Sequence, residues 1–394
     1  MSVLPIGSFF GYVIGGGWGA DTPSGETVQT AIIRGADFPS VALQDVSGLP
    51  VRFENSAAVE KRALRPGDIV FEISGGTRDR PTGRSVFVSR SMIESSRAPI
   101  IPASFCRLVR PDSTIVEPRW LYYRLQAWWN NGGAWGYQNQ STGISNFRFK
   151  EFEREYAVSL PTFRAQEGVS EVLAALDDKI AANKRLSAAA FALGGSLVRK
   201  NASKTLALVD VADVVMGSSP KGELLNEEGI GMPFYQGVRD FGEVFPGPRV
   251  STESPVRTSP TRSTLFAVRA PVGAVNFAIE EVCIGRGLAS ISSNERPATL
   301  HFCLREFKEI WDEHQGGGTV FASVNGSDVR NARLPIPEDH GGQLESSLAA
   351  LLDRAVQAEQ GTVLLAATRD ELLPLLMSGK ITVKDAEKTV EGVL

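Results

Sequence analysis

Histidine and cysteine are both scarce in this 394-residue chain, at three residues each. His301, His314 and His340 form no pair at metal-binding spacing, which argues against a zinc or iron site. Cys106, Cys283 and Cys303 lie far apart with no C-x-x-C pair, and the odd count suits reduced thiols in a cytosol better than a disulfide framework. No apolar stretch reaches 18 residues, and Met1 to Gly19 lacks a cationic lead followed by a continuous apolar run. Membrane spanning and secretion are therefore not expected, and a cytoplasmic location is. A basic excess is missing as well: 41 lysines and arginines face 45 acidic residues, a net charge of −4. A protein that grips phosphates unaided usually carries the opposite balance. That leaves room for locally basic loops, or for a complex in which another subunit supplies the positive field.

Signatures of catalysis are absent too. Ser218-Ser219-Pro220-Lys221 matches S-x-x-K without its companion acylation motifs, and no G-x-S-x-G elbow occurs. Gly379-Lys380 lacks the upstream glycine and the following Ser or Thr of a phosphate loop. Gly15-Gly16-Gly17-Trp18-Gly19 lacks the last glycine of a dinucleotide fingerprint and reads as a flexible loop. The Asn/Asp-Pro-Pro-aromatic tetrapeptide of adenine methyltransferases does not appear. The expectation is a chain that is not an enzyme and takes no cofactor or metal.

What the chain does contain is a duplicated plan. Its length calls for about two to three domains, and 42% apolar with 22% charged residues is a globular profile. Three features recur in the same order. Apolar, strand-like runs occur at Ile69-Val70-Phe71-Glu72-Ile73 and Leu265-Phe266-Ala267-Val268, each followed by glycine. Helix-like segments follow at Leu121 to Leu125 and Leu300 to Leu304, each leading into a glycine-rich loop. Leu160-Pro161 and Ile336-Pro337 then introduce two long helical patterns. From Gln166 to about Lys200 the seam is Val169, Leu173, Leu176, Ile180, Asn183, Ser187, Ala190, Gly194 and Leu197. From Gln343 to Leu376 it is Leu344, Leu348, Leu351, Ala355, Ala358, Thr362, Leu365, Arg369, Leu372 and Leu376. Steps of four and three make a heptad seam, which predicts two helices wrapped on each other. The alternative is that each packs only on its own domain. Asn183, Ser187, Gly194 and Thr362 would allow close approach and fix the register. Between these rods the β-branched and aromatic runs, broken by Gly, Pro, Ser and Asn, read as loop-rich α/β regions.

Several loops carry polar and cationic chemistry suited to nucleic acid. Arg78, Arg80 and Arg84 sit in a glycine-rich turn after the first strand, and an arginine fork fits guanine N7 and O6 or a phosphate. Gln138, Asn139, Gln140 and Ser141 follow the first aromatic helix; Gln and Asn fit the adenine N6/N7 edge, and Ser suits phosphates. Ser219, Lys221, Gln236, Arg239 and Thr319 offer the same groups in the second half. For each, a plain solvated loop is the competing reading. The stripe Trp120, Tyr122, Tyr123, Trp128 and Trp129 has helical periodicity and is expected in the core. Arg269 and Arg286 suit an ion pair as well as a groove contact.

These residues carry a resemblance. Leu160-Pro161, Gln166-Glu167, Val172 to Ile180 and Asn183 resemble the central conserved helix of type I restriction–modification specificity subunits. Gly217-Ser218-Ser219-Pro220, Pro233-Phe234, Val268 to Gly273 and Gly285-Arg286-Gly287-Leu288-Ala289 are similar to landmarks of that family's target recognition domains, and Leu372 to Ile381 to its C-terminal tail. The opening sixty residues match no landmark, and Pro337 to Gly342 departs from the usual lead into the distal helix. The resemblance implies an α+β chain: a first recognition domain at 1–165, a spacer helix at 166–200, a second recognition domain at 201–338, and a distal helix and tail at 339–394. Each domain would read one half of a split double-stranded DNA target. The antiparallel coiled coil, with Leu173, Leu176, Ile180, Leu348, Leu351 and Leu372, would set the gap and receive two methyltransferase subunits that use S-adenosylmethionine. Motor–nuclease subunits would join for cleavage. Three alternatives stay open: a recognition subunit of another phage-defence system, a coiled-coil adaptor that binds proteins at its globular ends, and an autonomous enzyme with an unfamiliar site.

Overall fold

A computed structural model describes residues 2–77, 79–141, 144–315, 322–339 and 341–393. The chain divides into two units, Met1–Ala181 with Val363–Leu394, and Ala182–Thr362.

In the first unit, Ile69–Glu72 is buried at every position, as a central strand covered on both faces must be. It lies between Cys106–Pro111 and Ser85–Phe87, and Phe10–Gly15 completes an antiparallel sheet. A second sheet joins Val51–Asn55, Thr27–Ile33 and Ile100–Pro102, the last two in parallel. The helix Pro118–Asn130 starts on a proline whose missing N–H costs nothing there, while the Glu117 carboxylate caps the amides of Arg119 and Trp120. Trp120, Tyr123 and Trp128 are buried, and Tyr122 and Trp129 pack half-buried against the same core, so three of the five aromatics of the stripe are fully internal.

The second unit repeats this order. Asp213–Met216, Leu288–Ser292, Thr264–Ala267 and Val275–Phe277 form the antiparallel sheet. Met232–Tyr235 pairs antiparallel with Ser251–Thr252 and parallel with Val282–Ile284. The helix Pro297–Glu306 buries Ala298 through Leu304. The sequence-level duplication therefore corresponds to two copies of one topology.

Pro161 and Pro337 close short strands, Ala157–Leu160 and Arg333–Pro337, that lead to the long helices Phe163–Asn201 and Gln343–Ser378. Each helix runs from one unit into the other. Within the first unit Leu173, Leu176 and Ile180 share a core with Leu365, Leu372 and Leu376. Within the second, Ala190, Phe191 and Val198 share one with Leu348, Leu352 and Ala355. The beginning of one helix thus lies beside the end of the other, the antiparallel seam that the heptads predict. Ser187 Oγ donates to the Ala355 carbonyl at 3.3 Å, and Asn183 lies against Gly361. Two details differ from expectation. Leu352, rather than Leu351, is fully buried. Gly194 makes room for Phe302, whose ring would lie 2.1 Å from an added Cβ, and not for the partner helix. The distal helix stops at Gly379, which takes φ +71°, and the Gly379 and Lys380 amides donate to the Leu376 and Leu375 carbonyls. Among the described residues no helix is long and apolar enough to cross a membrane.

His301 is fully enclosed, with Nδ1 3.1 Å from Thr264 Oγ1 and no hydrogen-bond partner for Nε2 among the described residues. Burial, helped by the Arg305 charge, lowers its pKa to about 3. The folded pKa lies below the unfolded value of 6.5, so the stabilisation from the neutral ring is complete above that value and lost as pH falls toward 3. Between pH 7 and pH 5 the wild type should lose about 2 kcal/mol more stability than His301→Leu, at ~1.4 kcal/mol per pH unit below 6.5. Denaturant titrations at the two pH values check this, and equal losses would refute it.

Candidate nucleic-acid interface

Backbone hydrogen bonds build the same loop junction in each unit. Gly16 N donates to Cys106 O at 3.0 Å, and Gly217 N to Leu288 O at 2.9 Å. Gly17 N meets Pro102 O as Ser218 N meets Ile284 O, both at 2.9 Å. Ala103 N meets Ile33 O at 2.8 Å, and Gly285 N meets Tyr235 O at 2.9 Å. Ile73 N and Val268 N reach the Phe105 and Gly287 carbonyls at 2.9 and 3.0 Å. By this register Trp18 stands where the other unit has Ser219, Arg34 where it has Gln236, and Ser104-Phe105 where it has Arg286-Gly287.

The glycines follow from how closely these backbones pass. A Cβ on Gly16 would lie 2.1 Å from Ala103 O, and one on Gly217 2.2 Å from Gly285 O. Gly15-Gly16-Gly17 is therefore a fixed crossing and not the flexible loop expected from sequence.

In the second unit the junction gathers three of the residues singled out above. Ser219 Oγ donates to Gln236 Oε1 at 3.0 Å and accepts from the Arg286 amide at 3.3 Å. The Gln236 amide is held by Asp240 at 2.7 Å, and Arg249 clamps that buried carboxylate from its other side. The side chains of Gln236, Arg239, Arg269 and Arg286 are exposed, and among the described residues neither Arg239, Arg269 nor Arg286 has an ion-pair partner. Lys221 is 81% exposed, with Glu223 at 3.9 Å. Arg269 and Arg286 thus take the solvent-facing alternative. Thr319 and the glycines before it lie outside the described residues.

In the first unit the two expected loops meet. Gln138–Ser141, Ile144–Phe147 and Ser74–Gly76 form one small sheet beside Ile73. Gln138, Asn139, Gln140 and Ser141 are on its first strand; Asn139 is exposed, and Gln138 Oε1 accepts from the Thr82 amide at 2.9 Å. Arg80 donates to Gly75 O at 2.9 Å and lies 3.9 Å from Glu72. Arg84 departs from the groove-reading role. It grips the buried Glu72 with two nitrogens, at 2.9 and 2.5 Å, and donates to Gly35 O at 2.8 Å, which leaves its fork committed to the fold. Arg78 lies outside the described residues. Behind this face Cys106 is buried, and burial, with the Glu72 charge second, pushes its thiol up to about 12, so it stays protonated. Of the expected spacer residues, Leu173, Leu176, Ile180, Leu348 and Leu372 are buried in the cores that the long helices share, and Leu351 is half-buried.

Sequence reasoning passed over Trp18, Arg34, Ser104 and Phe105. The signal available was the run Gly15 to Gly17, a counterpart to Gly217-Ser218 at the same place in the repeat.

No protein-family model matches the chain. A putative type I restriction enzyme MjaX specificity subunit from Methanocaldococcus jannaschii is 28% identical over 308 residues, 70% of this chain and 71% of that protein. The crystal structure of a type I restriction–modification system S subunit from M. genitalium superposes with a TM-score of 0.64 over 95% of both chains, at 14% identity, which shows a shared fold.

Proposed function

We propose that this chain, a relative of type I restriction specificity subunits and built on their fold, is the DNA sequence-recognition subunit of a type I restriction–modification complex. One observation carries the reading: an identical backbone junction, made twice, presents different side chains each time. Serine, glutamine and arginine at one junction, and serine and two aromatics at the other, beside an Arg34 whose fork is held by Asp37 at 2.9 and 2.8 Å, are groups that read base edges, phosphates or base stacks. Two unlike readers on one chain suit a split, asymmetric target.

The chain's own contribution is then binding free energy and geometry, without bond making. Methyltransferase subunits using S-adenosylmethionine would dock along the long helices and take a target adenine out of the duplex, since its N6 is out of reach inside the stack. Motor–nuclease subunits would complete the assembly, in the cytoplasm where the DNA is. The net charge of −4 fits a chain that depends on such partners for part of its hold on phosphates. The domain limits proposed from sequence, 1–165 and 201–338 as readers, apply to this assembly.

Methylation-aware sequencing of the host genome, with and without the gene, tests the reading. A split adenine motif should vanish when the gene is removed, and identical methylomes would refute it. The helices provide a second expectation. Deleting one heptad from each shortens the rods by about 10 Å, at ~1.5 Å per residue, which corresponds to about three base pairs. The unread gap of the motif should shrink by that amount, or activity should be lost. A motif with an unchanged gap would sink the spacer role.

A further inference from the structure

Among the described residues Phe105 is the most exposed aromatic of the first unit, ahead of Trp135 at 43% and Phe163 at 42%. It is 62% exposed, yet it stands on a rigid turn. Cys106 N donates to Ala103 O at 2.8 Å, and Phe105 O accepts from Ile73 N at 2.9 Å. Burying a phenylalanine is worth roughly 1.5–3 kcal/mol, so a fixed turn that holds one in water points to an occupant outside the chain. The surroundings say what kind. Ile73 also lines a cleft of about 310 Å³ whose wall includes Arg107, Arg148, Lys150 and Glu151, with Arg148 paired to Glu151 and Lys150 paired to Glu153 at 2.8 Å. Arg107 lies over the Phe149 ring, and its Nε finds no hydrogen-bond partner among the described residues. Trp18, 39% exposed, sits next to Gly17 on the other side of the junction with Arg52 against its ring. An apolar tip two residues from Arg107, the cation of the cleft that has no ion-pair partner among the described residues, matches a base stack beside a phosphate. A protein partner would have to meet the aromatic and the cations together with an acidic apolar patch.

The second unit sharpens the contrast. Its residue in register is Gly287, where a Cβ would lie 2.4 Å from Gln236 O. No side chain fits there, and the preceding Arg286 is the exposed group.

We infer that Phe105 is a specificity-determining wedge, packed against or between bases of the half-site read by the first unit, while the second unit reads through hydrogen bonds. Apolar wedges unstack a base step, and flexible pyrimidine–purine steps yield most cheaply. The half-site read by the first unit should therefore contain such a step. This rests on the DNA-recognition reading above and adds a residue and a mode of readout to it.

The test uses the full chain co-expressed with its methyltransferase subunits, bound to duplexes carrying the motif found by methylation sequencing. With 2-aminopurine at the flexible step, wild type should raise its fluorescence as the base unstacks. Phe105→Ala should abolish that rise, weaken binding by about 5- to 100-fold, and relax preference at one or two adjacent positions of one half-site. Phe105→Leu should fall between, because leucine also serves as a wedge. If Phe105→Ala binds and reads the motif as wild type does, the inference is overturned while the function stands. If Phe105→Ala instead loses its methyltransferase subunits, Phe105 belongs to a protein contact and the inference is again overturned. A wild-type complex with no split motif overturns both.

Discussion

Glu72→Ala should destabilise the first unit by about 3–5 kcal/mol, the scale for removing one partner of a buried ion pair. Glu72 is 2% exposed and takes two hydrogen bonds from Arg84, whose own side chain is 16% exposed. Without the carboxylate the guanidinium is left in a site that water reaches poorly, with the Gly35 carbonyl as its remaining acceptor. Replacing both residues, Glu72→Met with Arg84→Met, should recover most of the loss, because no charge then stays stranded. The measurement is helped by where the tryptophans fall. Of six, five lie in the first unit and Trp311 lies in the second, so fluorescence of a Trp311→Phe background reports the first unit alone. A Glu72→Ala transition within 1 kcal/mol of its parent would contradict the structural role assigned to Arg84.

Gly16→Ala and Gly217→Ala form the second large pair. Each adds one methyl group at about 2 Å from a carbonyl oxygen of the neighbouring backbone, and no side-chain rotation relieves that overlap. Relief requires opening the bonds from Gly16 to Cys106 or from Gly217 to Leu288. The expected loss is roughly 2–3 kcal/mol in the unit concerned. Under the proposed function, each variant should blur one half of the methylated motif and spare the other. Gly48→Ala and Gly222→Ala, where an added Cβ has nothing within 4 Å, are the matched controls. Denaturation and motif selection on the four variants decide it; the same blurring in the controls would remove the junction's special status.

The parts legible in the sequence are those written in side-chain periodicity. Leu173, Leu176 and Ile180 step at heptad spacing and are buried as the spacing requires, and Trp120 to Trp128 take the core positions expected of them. The repeat was visible because each copy keeps an apolar strand, an amphipathic helix and a proline in order. The junctions were not, because backbone atoms build them. Thr27–Ile33 pairs with Ile100–Pro102 across some seventy residues, and amide-to-carbonyl bonds leave no mark on residue identity beyond the glycines that permit them. Arg84 was misread for a related reason. Three arginines in a polar loop look alike until the fold supplies a partner, although a glutamate inside the apolar run Ile69 to Ile73 already called for one.

The strands Ala202–Ala207 and Arg333–Pro337 form a single antiparallel ribbon at the base of the second unit's globular part. The polypeptide enters and leaves that lobe side by side, so the lobe is attached as a cassette. Recombination between genes that share the flanking helices could exchange it whole, disturbing little beyond one ribbon and one packed helix face. Under the proposed function, new target preferences would then arise in a single genetic step.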